Sequence, residues 1–153
     1  MPKMTEKGAN WLYERIFKRI IVPMVGNETT YQNELDKAGR KVLGTLFKGV
    51  YASDKIPMLN DLKPYAILNL DRSDEGGSHW IAIARDKDKT YIYDSFGRKV
   101  TKIIPTLYHS GNGRIINTDD DKEQEERETN CGARSLAWLL FFHRYGAKNA
   151  ILI

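Results

Sequence analysis

The chain has 153 residues, of which 41% are hydrophobic and 29% are charged, as in an ordinary globular protein. No apolar run approaches the roughly 20 residues of a membrane span, and no apolar stretch of a secretory signal follows the charged N-terminal residues. A single cysteine excludes an internal disulfide and a cysteine-based zinc site. The sequence therefore predicts one domain, residues 1–153, that is neither secreted nor inserted in a membrane.

The net charge of +4 is unevenly distributed along the chain. Residues 119–128 hold seven acidic and two basic residues, which leaves 22 basic and 13 acidic residues elsewhere. A basic body with an acidic loop is compatible with contact to nucleic acid. The same excess of basic residues also fits a solvated protein surface, and the sequence leaves both interpretations open.

Taken in chain order, the first half of the sequence predicts helices. Apolar residues at helical spacing indicate an amphipathic helix over residues 10–25, with Trp11 in the core and a bend or an end at Pro23. Thr29 and Gln32 have the spacing of a capping box at the start of a second helix, which Gly44 should end. Residues 47–60 are rich in Gly, Pro and Asp and are predicted to be irregular.

The second half predicts strands and one strongly apolar helix. A strand is expected over residues 65–70, and residues 79–85 and 90–94 should form a β-hairpin around a short turn. A further short strand is expected at 115–116, and an apolar helix over 131–145. The predicted fold class is α+β, with helices flanking a small, mostly antiparallel sheet.

Cys131 stands where a polar loop changes into the apolar helix. Asn130 is a suitable N-cap residue, so Cys131 should lie in the first helical turn. There the helix dipole and the free N–H groups favour a thiolate, and Gly132 would let another chain approach the sulfur. A lone cysteine is more often a small buried hydrophobic residue, and this reading stays open until partners for the sulfur are found.

A nucleophilic cysteine requires a base and a group that orients the base. His143 lies twelve residues along the same helix, about 18 Å away, and is too distant. His79, at the mouth of the first hairpin strand, is the best candidate. With a two-residue turn at 87–88, His79 and Asp94 share one face of the hairpin as diagonal neighbours, about 7–8 Å apart at their Cα atoms. A shift of one residue in the register would place them on opposite faces.

The oxyanion of an acyl-transfer intermediate would need hydrogen-bond donors. The backbone N–H of Cys131 would supply one of them. Gln124, seven residues earlier in the loop that leads to the helix, could supply another through its side-chain amide. Taken alone, Gln124 is an ordinary polar loop residue.

Together these residues resemble the adenovirus-type maturation proteases, which belong to the same broad group as the SUMO-specific proteases. The resemblance covers about residues 65–145 and implies an adenain-like fold with the nucleophile at a helix N-terminus. The features that carry it are, in chain order, Gly-Ser-His79-Trp80 with the apolar strand that follows, Tyr-Asp94-Ser-Phe-Gly, Gln124 and Asn-Cys131-Gly.

The resemblance implies a cysteine endopeptidase and assigns roles to six residues. They are the nucleophile Cys131, the general base His79, its orienter Asp94, the oxyanion donor Gln124, and the substrate-binding residues Trp80 and Gly132. Members of the family favour Gly-containing sites and process capsid and core precursors during virion maturation. The resemblance thus implies viral structural precursors as substrates, and a monomer that acts in the virion or in the viral factory of the host cytoplasm, as in a large DNA virus or a virophage.

Activation is where the sequence departs from the adenovirus pattern. Adenovirus enzymes use a viral peptide attached through a second cysteine, which this chain lacks, and they use DNA as a cofactor. The implied chemistry needs neither a metal nor an organic cofactor, and the basic body would permit activation by DNA.

Three other functions remain open at this stage. One is a deconjugating protease for ubiquitin-like tails that end in Gly-Gly. Another is an acyltransferase built on the same histidine–acid–cysteine frame. The third is a non-enzymatic, basic nucleic-acid-binding domain in which Cys131 is purely structural.

Overall fold

The computed structural model describes residues 2–28, 30–70, 79–95, 105–118 and 130–153. Within these residues, five strands form one sheet and follow each other in chain order. They are β1 (Phe47–Ala52), β2 (Tyr65–Asn69), β3 (Trp80–Asp86), β4 (Lys89–Tyr93) and β5 (Arg114–Asn117). The strands β2, β3 and β4 pair antiparallel, whereas the outer strands β1 and β5 run parallel to their neighbours. The predicted α+β class is confirmed, with a mixed sheet.

The hairpin of β3 and β4 has the register that the sequence predicts. Ile83 lies opposite Ile92, and Asp86 pairs with Lys89 across the two-residue turn. Lys87 in that turn adopts a left-handed backbone conformation, with φ of 59°. Such a conformation suits the tight turns that match the twist of a hairpin.

The edge strand β1 contradicts the prediction of irregular chain over residues 47–60. Phe47 and Val50 are buried, and β1 pairs with β2 in spite of a register shift between Phe47 and Gly49. Gly49 has a φ of 139°, which disfavours a side chain. The glycine and the irregular register together interrupt the alternation by which a strand is recognised in a sequence.

The N-terminal helical segment is longer than predicted. It consists of α1 (Glu6–Ile16), a π-helical segment (Phe17–Ile21) and α2 (Val22–Val25), so it continues through the proline. The Thr5 side chain caps α1 by accepting a hydrogen bond from the Gly8 N–H at 3.0 Å. The assignment of Trp11 to the core is wrong, because 59% of this residue is exposed. The buried stripe of α1 passes instead through Ala9, Tyr13 and Ile16.

A central helix is buried between the sheet and the other helices. This is α4 (Cys131–Tyr145), which begins and ends where predicted and whose residues 131–142 are all buried. It packs on β3 and is flanked by α1 and by α3 (Gln32–Leu43). A short helix, α5 (Ala147–Ala150), follows it.

Helix α3 ends before Gly44, as predicted, and its start shows which acidic side chain completes the cap. The Glu34 carboxylate accepts a hydrogen bond from the Tyr31 N–H at 3.4 Å. Thr29, the first residue of the predicted capping box, lies outside the described residues. The opposite face of the sheet carries a smaller apolar cluster that includes Ile81 and Ile83. Among the described residues, no helix is long and apolar enough to cross a membrane.

Candidate active site

The end of the hairpin and the start of the central helix bring three predicted residues together. His79 immediately precedes β3, Asp94 immediately follows β4, and Cys131 is the first residue of α4. The His79 Nε2 and Asp94 Oδ1 atoms are 2.8 Å apart, and both side chains are buried. This is the carboxylate–imidazole contact that the hairpin register predicts.

The imidazole of His79 can interact with Asp94 and with the Cys131 sulfur at the same time, one through each ring nitrogen. Burial lowers the pKa of His79. Hydrogen bonds and electrostatic attraction from Asp94 and Cys131 favour the protonated ring, and together they outweigh the effect of burial. The pKa of His79 is therefore raised above its ordinary value. Because Asp94 occupies Nε2, the Nδ1 atom is the one available to Cys131. The site favours an imidazolium beside the cysteine, as a thiolate–imidazolium pair requires.

The backbone of Trp80 connects the histidine to the cysteine. The Trp80 N–H donates a hydrogen bond to the Cys131 Sγ atom at 3.4 Å. Two further hydrogen bonds hold Trp80 in place. Its indole Nε1–H donates to the Thr30 carbonyl at 3.2 Å, and its own carbonyl accepts from the Ser135 hydroxyl at 3.1 Å. The Thr30 carbonyl and the Ser135 hydroxyl therefore hold in place the residue whose backbone N–H contacts the sulfur.

Sequence reasoning missed Ser135 and Thr30, although one signal was present. Ser135 lies four residues after Cys131 and therefore on the same face of α4. A small polar residue on the buried face of an apolar helix must find a hydrogen-bond partner. Nothing in the sequence identifies Thr30 as the anchor of the Trp80 indole.

The substitution Ser135→Ala should lower the reactivity of Cys131. It removes the hydroxyl donor to the Trp80 carbonyl, and we expect a loss of about 1 kcal/mol of unfolding free energy together with a few-fold slower alkylation of the thiol by iodoacetamide at neutral pH. Thr90→Val is a matched control, because Thr90 donates a similar buried hydrogen bond to the Asn112 carbonyl at 2.7 Å. The control should lose similar stability and keep the wild-type alkylation rate. Equal alkylation rates in all three proteins would mean that Ser135 does not influence the reactivity of Cys131.

Gly132 lies where α4 packs closely against neighbouring side chains. A Cβ atom at this position would lie 3.0 Å from Leu35 Cδ1 and 3.2 Å from Trp80 Cδ1. The missing side chain thus allows α4 to approach α3 and the Trp80 ring closely. Whether Gly132 and Trp80 also contact substrate stays a prediction.

Asn130 occupies the N-cap position of α4 but does not cap it with its side chain. Its Nδ2 group donates to the Asn27 Oδ1 atom at 2.7 Å and so ties the helix start to the turn after α2. The predicted side-chain cap is therefore wrong, while the predicted helix boundary is confirmed.

The remaining histidines lie away from this cluster. His109 is exposed in a 3₁₀ helix, and His143 is exposed near the end of α4, with its Nδ1 atom 3.3 Å from the Tyr65 hydroxyl. Gln124, the predicted oxyanion donor, lies outside the described residues. Among the described residues, no group of three or more His, Cys, Asp or Glu side chains could hold a metal ion.

A buried arginine fastens the start of the central helix to α1. Arg134 Nη1 lies 3.1 Å from Glu14 Oε1, and the guanidinium group also stands over the Phe17 ring at 4.2 Å. Burial lowers the pKa of Arg134, but Tyr13 and Glu14 outweigh it and raise the pKa. This ion pair fixes the helix whose first residue is Cys131.

A cysteine at a helix start, beside a buried histidine–aspartate pair, is the arrangement with which thiol hydrolases perform nucleophilic catalysis. The family model described as adenovirus endoprotease matches residues 47–150, more than half of the chain. The chain belongs to the adenovirus endoprotease family and is a cysteine protease. The matched range runs from β1 through α5. A search of curated proteins found no match.

Proposed function

We propose that the chain is an endopeptidase that cleaves Gly-containing sites in viral capsid and core precursors during virion maturation. The observation that carries the catalytic part is the 2.8 Å contact between His79 and Asp94 beside the buried thiol of Cys131. In this proposal residues 1–153 act as one protease domain and as a monomer.

The first half-reaction would form a thioester. The Cys131 thiolate attacks the scissile carbonyl carbon, and the carbonyl electron pair moves to the oxygen. The oxyanion is stabilised by the Cys131 N–H and, in this proposal, by the Gln124 side chain. When the tetrahedral intermediate collapses, the C–N bond breaks and the His79 Nδ1–H gives its proton to the leaving amine.

The second half-reaction would regenerate the enzyme. Neutral His79 accepts a proton from water, and the resulting hydroxide attacks the thioester carbon. Collapse of this intermediate breaks the C–S bond and releases the acid product and the thiolate. Asp94 holds the imidazole orientation through both halves and stabilises its charged form.

The tightness of the site supports a preference for glycine. Cys131 is 5% exposed, and His79 and Trp80 are each 7% exposed. A substrate backbone can reach such a recessed sulfur only if the residues next to the scissile bond are small. We therefore place glycine beside the cleaved bond, and Trp80 and Gly132 at the walls of the channel.

The place where the enzyme acts follows from the proposed substrates. Processing of capsid and core precursors would take place in the virion or in the viral factory. Outside residues 119–128 the chain has 22 basic and 13 acidic residues, and this excess of positive charge supports binding to DNA. DNA would then activate cleavage by concentrating the enzyme and the precursors along one polymer.

The test is cleavage of internally quenched peptides that have Gly or Ala beside the scissile bond, and of a capsid precursor, with and without duplex DNA. We expect cleavage of the Gly peptides, slower cleavage of the Ala peptides, and a faster rate with DNA that disappears at high salt. Cleavage restricted to the C-terminal tail of a ubiquitin-like fusion would contradict the proposal and favour a deconjugating protease.

A further inference from the structure

A groove opens at the surface between α1, the π-helical segment and the end of α4. Its volume is about 480 Å³, within the range of about 300–1,000 Å³ of ligand-binding clefts. Arg144 at the groove lies thirteen residues after Cys131 along α4, which corresponds to about 20 Å. The groove is therefore distinct from the candidate active site.

All charged residues that line the groove are arginines. Arg15, Arg19 and Arg144 line it together with apolar residues, and no acidic residue is among its lining residues. None of these three arginines forms an ion pair within the described part of the chain. Glu14, which precedes Arg15 in α1, is engaged by Arg134 and Lys18. We call this surface the arginine groove.

The rim of the arginine groove carries an exposed tryptophan. Trp11 is 59% exposed, and the Arg15 guanidinium carbon lies 4.6 Å from the centre of its ring. The cation–π contact holds the ring in place without covering it. Tryptophan, tyrosine and arginine are the residues that most often dominate the binding energy of protein interfaces, and Tyr145 also lines this groove.

We propose that the arginine groove docks an acidic segment of a partner protein that also carries a large apolar side chain. Guanidinium groups bind carboxylates in a bidentate manner, which matches the three arginines. The apolar floor, formed by Leu12, Ile16 and Ile20, matches the apolar side chain. A nucleic-acid backbone would engage the arginines but leave this floor uncovered, so the peptide is the better match.

The test is fluorescence anisotropy with a labelled peptide in which a Leu-Phe pair is flanked by three glutamates on each side. We expect saturable binding to the wild-type protein and a loss of about tenfold or more in affinity for the double variant Arg19→Glu, Arg144→Glu. Trp11→Ala should also weaken binding, whereas Trp11→Phe should retain most of it. A peptide with glutamine in place of glutamate should not bind.

Matched controls separate the groove from general charge and from catalysis. Arg114→Glu reverses the charge of one exposed residue of β5, which is half of the charge change of the double variant, and should leave the affinity unchanged. Cleavage of short Gly peptides should be unaffected by Trp11→Ala, so a failed docking test leaves the proposed protease function intact. The proposal is overturned if the peptide does not saturate, if Arg114→Glu weakens binding equally, or if a single-stranded oligonucleotide binds the groove more tightly than the peptide.

Discussion

Replacement of Cys131 by alanine should abolish peptide cleavage, with a loss of roughly 10⁴-fold or more in kcat. The chain contains no other cysteine, so no second thiol can replace the proposed nucleophile. The variant also removes the acceptor of the Trp80 N–H and a small buried volume, which should cost about 1–2 kcal/mol of unfolding free energy. The measurement is the initial rate on the quenched Gly peptides, together with urea unfolding of both proteins.

Two controls distinguish loss of the nucleophile from loss of structure. Cys131→Ser keeps a hydrogen-bond acceptor for the Trp80 N–H at similar volume, but a hydroxyl does not ionise near neutral pH, so this variant should be folded and inactive. Iodoacetamide should label the wild-type protein with one equivalent and inactivate it in parallel. Cleavage by Cys131→Ala at a rate near that of the wild type would mean that another group performs the chemistry.

The parts of the site that the sequence could predict are those fixed by local pattern. The register of the hairpin follows from alternation and from a two-residue turn, and it places His79 and Asp94 on one face. The start of α4 follows from the change between polar loop and apolar run. In both cases the information lies within about fifteen residues of the chain, where periodicity is informative.

The parts that could not be predicted depend on contacts between distant segments. Thr30 and Ser135 hold Trp80 from 50 and 55 residues away, and no local pattern encodes these hydrogen bonds. Strand β1 was missed because Gly49 breaks its alternation, and its place in the sheet is set by pairing with β2. Trp11 was assigned to the core because an apolar residue near the helical stripe usually belongs to it, whereas here the tryptophan stands beside the stripe and faces solvent.

The substitution Asp94→Asn should lower kcat by about 10²–10⁴-fold while the protein stays folded. Asparagine is nearly isosteric with the buried aspartate, so the melting temperature should change by only a few degrees, roughly the effect of 1 kcal/mol. The carboxylate accepts from His79 Nε2 and leaves Nδ1 for the sulfur. An amide at this position can present its NH₂ group to the ring and thus favour the wrong tautomer or orientation.

The pH profile separates this orienting role from a merely structural one. The Asp94 carboxylate is one of the groups that raise the pKa of His79, so its neutralisation should lower that pKa. Because the active ion pair needs the imidazolium, the alkaline limb of the kcat/KM profile should then move to lower pH. A structural defect alone would reduce the rate at every pH and leave the limb in place. An unchanged kcat together with an unchanged limb would remove Asp94 from the catalytic machinery and leave His79 to act without an orienting carboxylate.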